Sequence, residues 1–175
     1  QAVKLSDNAG AEKTPVDATK LPSFIREILM PINGQKGDTL PVSTFEGYED
    51  GTMPMGTTAY EKRGIAAKIP LWDAASCIQC NRCSYVCPHG VIRPYLLDEN
   101  EKKAAPEGFA IALAKGVKGE ETMYFSMQVS DMDCTGCGSC VSVCPKKGEA
   151  LQMIAAPADM AVTPQWEYGL TIKEK

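Results

Sequence analysis

The sequence predicts an α+β domain made of two similar halves, and three observations support this fold class. Each half begins with a short apolar stretch typical of a β-strand, which runs directly into a group of four cysteines. The two groups have the same internal spacing, and each is followed by another short apolar stretch. The 175 residues include 15 Gly and 12 Pro but only 7% aromatics, which favours short elements and a core stabilised by more than aromatic packing.

The central domain is predicted to cover residues 65–154 and to contain four strands. One of them shows a period-two pattern, in which Phe125 and Met127 are separated by the polar Ser126. Another contains Pro94, and proline is confined to edge strands or bulges. The four predicted strands are residues 65–72, 91–97, 123–129 and 150–154.

An insertion of about residues 98–122 separates the two halves. Asp98 and Glu101 have the spacing of a capping box, in which each residue satisfies a backbone N–H of the other. We therefore expect a short helix that runs toward Ala105 and ends before Pro106.

Two terminal arms are predicted to flank the domain. Residues 1–64 form an N-terminal arm, in which a short helix over residues 21–30 ends at Pro31 and an extended, Gly- and Pro-rich loop follows. Residues 155–175 form an irregular C-terminal arm or linker, with Trp166 and Tyr168 as anchors onto another surface.

Charge and hydropathy exclude two classes of partner. The net charge is −4, and no run of Lys or Arg is long enough to follow a phosphate backbone. No stretch approaches the roughly 20 apolar residues that cross a bilayer, and the N-terminal segment is polar rather than signal-like. We expect neither nucleic acid nor membrane as a partner.

The eight cysteines form an internal repeat. Each cysteine of the second group lies 57 residues after its counterpart, as 134 − 77 gives for the first pair. Both groups follow the pattern C-x2-C-x2-C-x3-C-P, at Cys77, Cys80, Cys83 and Cys87 and again at Cys134, Cys137, Cys140 and Cys144.

This spacing is the pattern of bacterial ferredoxins, in which three closely spaced thiolates bind one [4Fe-4S] cluster and the fourth ligates the other. The ligands are therefore assigned crosswise between the two halves. The first cluster takes Cys77, Cys80, Cys83 and Cys144, and the second takes Cys134, Cys137, Cys140 and Cys87. The predicted fold is accordingly a bacterial dicluster ferredoxin-like fold, a pseudo-twofold repeat of strand, cluster loop, short helix and strand.

The two cysteine loops differ in the residues between their ligands. Gly136 and Gly138 adopt positive φ at little cost, which lets the second loop curl around a cluster. The first loop has bulkier and more polar residues at its intervening positions, which are Ile78, Gln79, Asn81 and Arg82. This difference indicates unequal surroundings for the two clusters, without indicating which cluster has the lower potential.

Other interpretations of the cysteines and of the neighbouring residues are weaker. Disulfides need an oxidising compartment, and structural zinc leaves the third closely spaced thiolate of each group unexplained. His89 is interpreted as a hydrogen-bonded residue beside a cluster, and Lys146 as solvated surface rather than a docking site. No nucleotide-binding or nucleophile motif is present, so no catalytic residue is predicted.

Three segments carry a family resemblance beyond the cysteine spacing: DGTMPMGTTAYEKRGIA at residues 50–66, CIQCNRCSYVCPH at 77–89 and MDCTGCG at 132–138. Each resembles a segment of pyruvate:ferredoxin oxidoreductase. The resemblance covers roughly residues 21–154, and QWEY at 165–168 resembles the passage into the next domain of that enzyme.

The resemblance implies a cytoplasmic enzyme of anaerobic metabolism that decarboxylates pyruvate on thiamine diphosphate, forms acetyl-CoA and sends electrons to ferredoxin or flavodoxin. This chain would be its ferredoxin-like electron-relay domain. Thiamine diphosphate, Mg and a third cluster would then lie in the remaining domains, which are its expected partners. The start at Gln1 rather than Met agrees with an excerpt from such an enzyme.

Two other functions stay open on the residues alone. A complete set of ligands also fits a standalone dicluster ferredoxin or an electron-transfer subunit of another 2-oxoacid oxidoreductase. A third interpretation gives the clusters only a structural role, as staples between the two halves.

Overall fold

Five short strands form two antiparallel sheets in this computed structural model, which describes residues 19, 21–119, 121–158, 160 and 162–175. The predictions for residues 1–18 lie outside the described residues. Sheet order is β1-β5 in one sheet and β2-β4-β3 in the other. The strands are β1 (Lys68–Trp72), β2 (Ile92–Leu97), β3 (Ala112–Leu113), β4 (Tyr124–Val129) and β5 (Leu151–Ala155).

Strand pairing links the beginning of the chain's central part to its end. Trp72 of β1 pairs with Leu151 of β5, whereas Leu97 of β2 pairs with Tyr124 of β4. Pro94 is accommodated because β2 is an edge strand. Along the chain, the β1–β5 pair therefore encloses the β2–β4 pair. Because β1 leads into the first cysteine group and β5 follows the second, this pairing brings the first cysteine group beside the end of the second.

Five short α-helices accompany the strands in the described part of the chain. α2 and α4 occupy the same place in the two cysteine groups, because each carries the third cysteine and ends just before the fourth. The predicted capping box is confirmed, since Asp98 accepts hydrogen bonds from the first turn of α3 and Glu101 accepts one from the Asp98 backbone. The helices are α1 (Met30–Asn33), α2 (Arg82–Val86), α3 (Glu99–Ala104), α4 (Ser139–Val143) and α5 (Pro164–Gly169).

Strand β4 differs from the sequence-based expectation. A period-two pattern is typical of a strand with one buried face. In β4, however, the polar Ser126 and Gln128 are buried as well as the apolar Phe125 and Met127 that alternate with them. The insertion covers the polar face, where the Ser126 hydroxyl donates to the Ala110 carbonyl at 2.7 Å and accepts from Gln128 Nε2. Buried polar side chains are tolerated when they are hydrogen-bonded in this way.

The C-terminal segment also differs from the expectation of an irregular arm. It contains helix α5, capped by the Thr163 side chain, and Trp166 is buried beneath the guanidinium of Arg93. Tyr168 packs edge-on against Phe109. The predicted anchors therefore contact β2 and the insertion of this same chain rather than another surface.

The structure has two compact units, with the boundary between Lys62 and Arg63. In the unit before the boundary, Phe24, Ile25 and Ile28 form a small core that includes a T-shaped contact with Tyr48. Besides a π-helical turn and α1, this unit contains short 3-10 turns.

The expectation that Pro31 ends the first helix is wrong. A π-helical turn over Ile25–Leu29 continues into α1, and Pro31 lies in the first turn of α1. Proline in a helix clashes with the carbonyl four residues earlier. The wider π turn pairs Met30 with the carbonyl of Ile25, five residues back, so this clash is relieved and the chain stays helical to Asn33.

Candidate functional site

The first cysteine group and the last cysteine of the second surround one cavity. The cavity opens to solvent, and the space between its walls and in its mouth amounts to about 360 Å³. Trp72 at the end of β1 and Met127 of β4 contribute apolar walls. The cysteines that line it are Cys77, Cys80, Cys83 and Cys144.

A second cavity of about 330 Å³ is lined by the other four cysteines. Pro70 of β1 and Met153 of β5 form part of its wall, and His89 lies at its edge. Its cysteines are Cys87, Cys134, Cys137 and Cys140. In each cavity, three thiols therefore come from one group and the fourth from the other.

All eight cysteines are free thiols, and their arrangement does not suit a single ion. Among the residues that the structure describes, no three His, Cys, Asp or Glu side chains converge closely enough to hold one metal ion. A tetrahedral zinc site needs every sulfur within about 2.3 Å of the metal. Four thiols spread around a cavity instead fit a larger inorganic body, such as a [4Fe-4S] cluster.

The two cysteine loops have the same backbone conformation although their residues differ. Gly136 and Gly138 have φ of 70° and 74°, and the corresponding residues of the first loop, Gln79 and Asn81, have φ of 60° and 59°. A residue other than Gly costs roughly 1–2 kcal/mol in this left-handed conformation, although Asn adopts it more readily than Gln. The first loop therefore stores strain, mainly at Gln79, that the second avoids.

Both loops aim a backbone N–H at the sulfur of their first cysteine. Gln79 donates to Cys77 Sγ at 3.3 Å, and Gly136 donates to Cys134 Sγ at 3.4 Å. Hydrogen bonds to cluster sulfurs orient the ligands and tune the reduction potential. The left-handed residues thus serve the same purpose in both loops.

Residues of the insertion hold the first loop in its strained conformation. Gln79 Nε2 donates to the Leu113 carbonyl at 2.8 Å, and Gln79 Oε1 accepts from the Lys115 backbone at 2.7 Å. The Lys115 ammonium group also donates to the Cys77 carbonyl at 2.9 Å. Sequence reasoning missed this clamp, because nothing in the sequence pairs Gln79 with a segment more than 30 residues away.

Burial makes several of the thiols reluctant to ionise. It raises the pKa of Cys83 to about 11 and also raises the pKa of Cys134 and of Cys140. The exposed Cys137 differs, because a hydrogen bond with the Ser139 hydroxyl lowers its pKa. Metals bind thiolates, so cluster assembly must release protons from the buried thiols and is expected to become more favourable as pH rises.

Two polar groups on the first cavity have no partner within the described residues. Trp72 Nε1 and Asn81 Oδ1 are both buried and make no hydrogen bond there. The ring of Trp72 packs edge-on against Phe125. Its buried N–H has no acceptor among the described residues, which is uncommon for a buried donor.

The residue that follows each Cys-Pro lies at the same cavity as that cysteine, and the other three cysteines of that cavity belong to the other group. His89 lies at the second cavity and Lys146 at the first. Both side chains are exposed, and Lys146 forms a surface ion pair with Glu149 at 3.4 Å.

Comparisons with known proteins agree with the cysteine geometry. A family described as a 4Fe-4S dicluster domain matches residues 76–147, and another described as a domain of unknown function matches residues 10–66. The chain is 48% identical, over 94% of its length, to the pyruvate-flavodoxin oxidoreductase of Enterobacter agglomerans. It is 52% identical, over 82% of its length, to the pyruvate:ferredoxin oxidoreductase of Moorella thermoacetica.

The chain belongs to the pyruvate:ferredoxin (flavodoxin) oxidoreductase family. It is also 50% identical, over 87% of its length, to the pyruvate dehydrogenase (NADP+) of Cryptosporidium parvum. These three relatives are much longer than this chain, which spans only 14%, 12% and 8% of their respective lengths.

No helix in the described part of the chain is both long and apolar enough to cross a bilayer.

Proposed function

We propose that the chain is the electron-relay domain of a pyruvate oxidoreductase and that it holds two [4Fe-4S] clusters with crosswise ligands. Cys77, Cys80, Cys83 and Cys144 would hold one cluster, and Cys134, Cys137, Cys140 and Cys87 the other. The arrangement of the two cavities carries this proposal, because each is lined by three cysteines of one group and the last of the other. Such a cluster stores and releases one electron at a time.

The protein would position the two clusters, insulate them from water and tune their reduction potentials. The backbone N–H groups of Gln79 and Gly136 point at ligand sulfurs in the two loops. The apolar walls, including Met127 and Met153, keep water away from the inner faces of the cavities. The crosswise ligands would also staple the two halves together, so cluster binding would supply part of the folding free energy.

The finer architecture belongs to the same proposal. We interpret the two strand, loop and helix units as a pseudo-twofold repeat of the dicluster ferredoxin type. On this interpretation, residues 98–122 are an insertion that has acquired the task of holding the first loop.

The proposed reaction of the whole enzyme is oxidative decarboxylation of pyruvate to acetyl-CoA and CO2. Thiamine diphosphate, Mg and a third cluster would lie in domains outside this chain. External ferredoxin or flavodoxin is the proposed acceptor, and the cytoplasm the proposed location. The names of the relatives include flavodoxin, ferredoxin and NADP+, so the final acceptor varies among proteins that share this segment.

Anaerobic reconstitution of the 175-residue chain with iron and sulfide tests the relay function. We expect iron and sulfide contents that correspond to two clusters, and rapid, reversible reduction by dithionite with the EPR spectrum of two interacting clusters. Zinc-only occupancy, or clusters that resist reversible reduction, would contradict a relay and favour a purely structural role.

A standalone dicluster ferredoxin is the second candidate, because the complete set of ligands lies within the matched residues 76–147. The length of the encoding open reading frame separates the two candidates. A frame that ends close to residue 175 favours the standalone carrier, whereas one that continues through a thiamine-binding domain favours the relay.

A further inference from the structure

We propose that the cluster in the first cavity has the higher reduction potential of the two, and that Lys115 and Trp72 are the residues that raise it. This inference rests on the proposed function, since it concerns clusters held by the eight cysteines. It assigns to the chain an order of reduction that the ligand pattern alone leaves open.

The hydrogen bonds that the two loops share do not distinguish the sites. Each loop donates one backbone N–H to the sulfur of its first cysteine, at 3.3 Å in the first and 3.4 Å in the second. Because these bonds match in donor, acceptor and length, they shift both potentials similarly. Any difference must come from groups that are present at one site and absent from the other.

Charge is the first such difference. The Lys115 ammonium group lies 2.9 Å from the carbonyl oxygen of Cys77. Lys146 lines the same cavity, but its charge is partly offset by its ion pair with Glu149. At the second cavity the corresponding neighbours are His89 and, next to the Cys134 loop, the half-buried carboxyl group of Asp131. Reduction adds negative charge to a cluster, so nearby ammonium groups favour it and a nearby carboxylate opposes it.

Burial is the second difference and acts in the same direction. Cys134 and Cys140 of the second cavity are buried, whereas in the first cavity Cys77, Cys83 and Cys144 are half-buried and Cys80 is exposed. Partial burial still raises the pKa of Cys83 to about 11, so the difference is between two buried ligands and none. Adding charge in a poorly solvated site is unfavourable, so the deeper cluster is the harder one to reduce.

The side-chain donors partly offset each other. The first cavity is lined by Trp72, whose buried indole N–H has no partner among the described residues, and we take a cluster sulfur as its acceptor. At the second cavity the Cys137 thiol donates to the Ser139 hydroxyl at 3.5 Å, and once Cys137 is a thiolate ligand this hydroxyl would be the donor. One donor therefore stands on each side, and the charge and burial differences decide the order.

The structure also explains why Lys115 can exert a steady effect although it is on the surface. Its backbone N–H is fixed by the Gln79 side chain, and the Leu113 carbonyl accepts from the same side chain. The insertion thus holds the ammonium group against the first loop, instead of leaving it free in solvent. Because Lys115 remains solvent-exposed, its effect should weaken as ionic strength rises.

An EPR-monitored redox titration of the reconstituted chain, with dithionite as reductant, tests the order. Lys115→Met should shift the higher-potential wave to more negative potential and leave the lower-potential wave in place. Trp72→Phe keeps an aromatic ring against Phe125 and should shift the same wave in the same direction. Ser139→Ala should shift only the lower-potential wave.

Lys118→Met is the matched control. It removes the same charge from the same segment, at an exposed lysine with no hydrogen bond to either cysteine loop in the described part of the structure. It should leave both waves nearly unchanged.

Movement of the lower-potential wave by Lys115→Met would overturn the proposed order, and equal effects of Lys115→Met and Lys118→Met would overturn the role of Lys115. In either case the two clusters, and the proposed function, would stand. Failure to assemble two clusters in the unsubstituted chain would instead overturn both proposals.

Discussion

The two cysteine loops have the same backbone conformation, but each is held in that conformation by different means. The second loop has Gly at its left-handed positions, and its Gly136 lies so close to β1 that an added Cβ would come within 2.9 Å of the Lys68 carbonyl. The first loop has Gln79 and Asn81 at those positions and depends on hydrogen bonds from the insertion. A ligand loop can therefore be specified locally, by glycine, or from a distance, by a side-chain clamp.

The largest expected effect on this comparison comes from Gly136→Ala. The substitution adds both the strain of a left-handed Ala, roughly 1–2 kcal/mol, and an overpacking cost of roughly 1–3 kcal/mol against β1. We expect the free energy of unfolding to fall by about 3 kcal/mol and the second cluster to be lost first. Anaerobic urea unfolding followed by circular dichroism, together with cluster absorbance, measures both.

Gly138→Ala provides the matched control for that substitution. Gly138 has a similar φ of 74°, but an added Cβ meets nothing within 4 Å. Only the backbone strain remains, so the expected loss is about 1 kcal/mol. Equal losses for the two variants would show that the approach of β1 does not constrain the loop.

In the first loop, Gln79→Ala should have an intermediate effect. It keeps a left-handed residue other than Gly but removes two hydrogen bonds, worth about 1 kcal/mol each, so we expect a loss of about 2 kcal/mol. Gln79→Gly removes the same bonds and also relieves the strain, and should stay within about 1 kcal/mol of the original chain. If urea unfolding gives the same midpoint for both, the first loop is not strained.

The smallest effect on stability is expected from His89→Lys, which makes the two cavities alike at the residue after Cys-Pro. His89 is exposed, so the free energy of unfolding should change by less than about 0.5 kcal/mol. The added ammonium group should raise the potential of the second cluster and narrow the gap between the two redox waves. A wider gap would contradict the electrostatic part of the comparison.

The sequence predicted most of what depends on local pattern. The capping box of Asp98 and Glu101 formed as expected because both of its hydrogen bonds lie within a single turn. Family membership followed from the residues around the cysteines, and the comparisons confirm it. The crosswise assignment of ligands stays a prediction, to which the two cavities give a geometric basis.

The features that sequence reasoning missed depend on contacts between distant segments. The burial of Ser126 follows from an insertion that folds over β4. The regular structure of the C-terminal segment follows from the packing of Trp166 under Arg93. Nothing in the sequence marks the insertion as the partner of Ser126, or Arg93 as the partner of Trp166, because tertiary contacts override the local pattern. The clamp between Gln79 and Lys115 belongs to the same class.

A pair of cysteine substitutions tests the central claim of crosswise ligands most directly. Each cavity takes its fourth cysteine from the other group, so Cys87→Ser removes a ligand from the cavity of Cys134, Cys137 and Cys140, and Cys144→Ser removes one from the first cavity. Cluster-resolved EPR of the reconstituted variants should show damage to the second cluster in Cys87→Ser and to the first in Cys144→Ser. Loss of the first cluster in Cys87→Ser, with the second intact, would contradict the account.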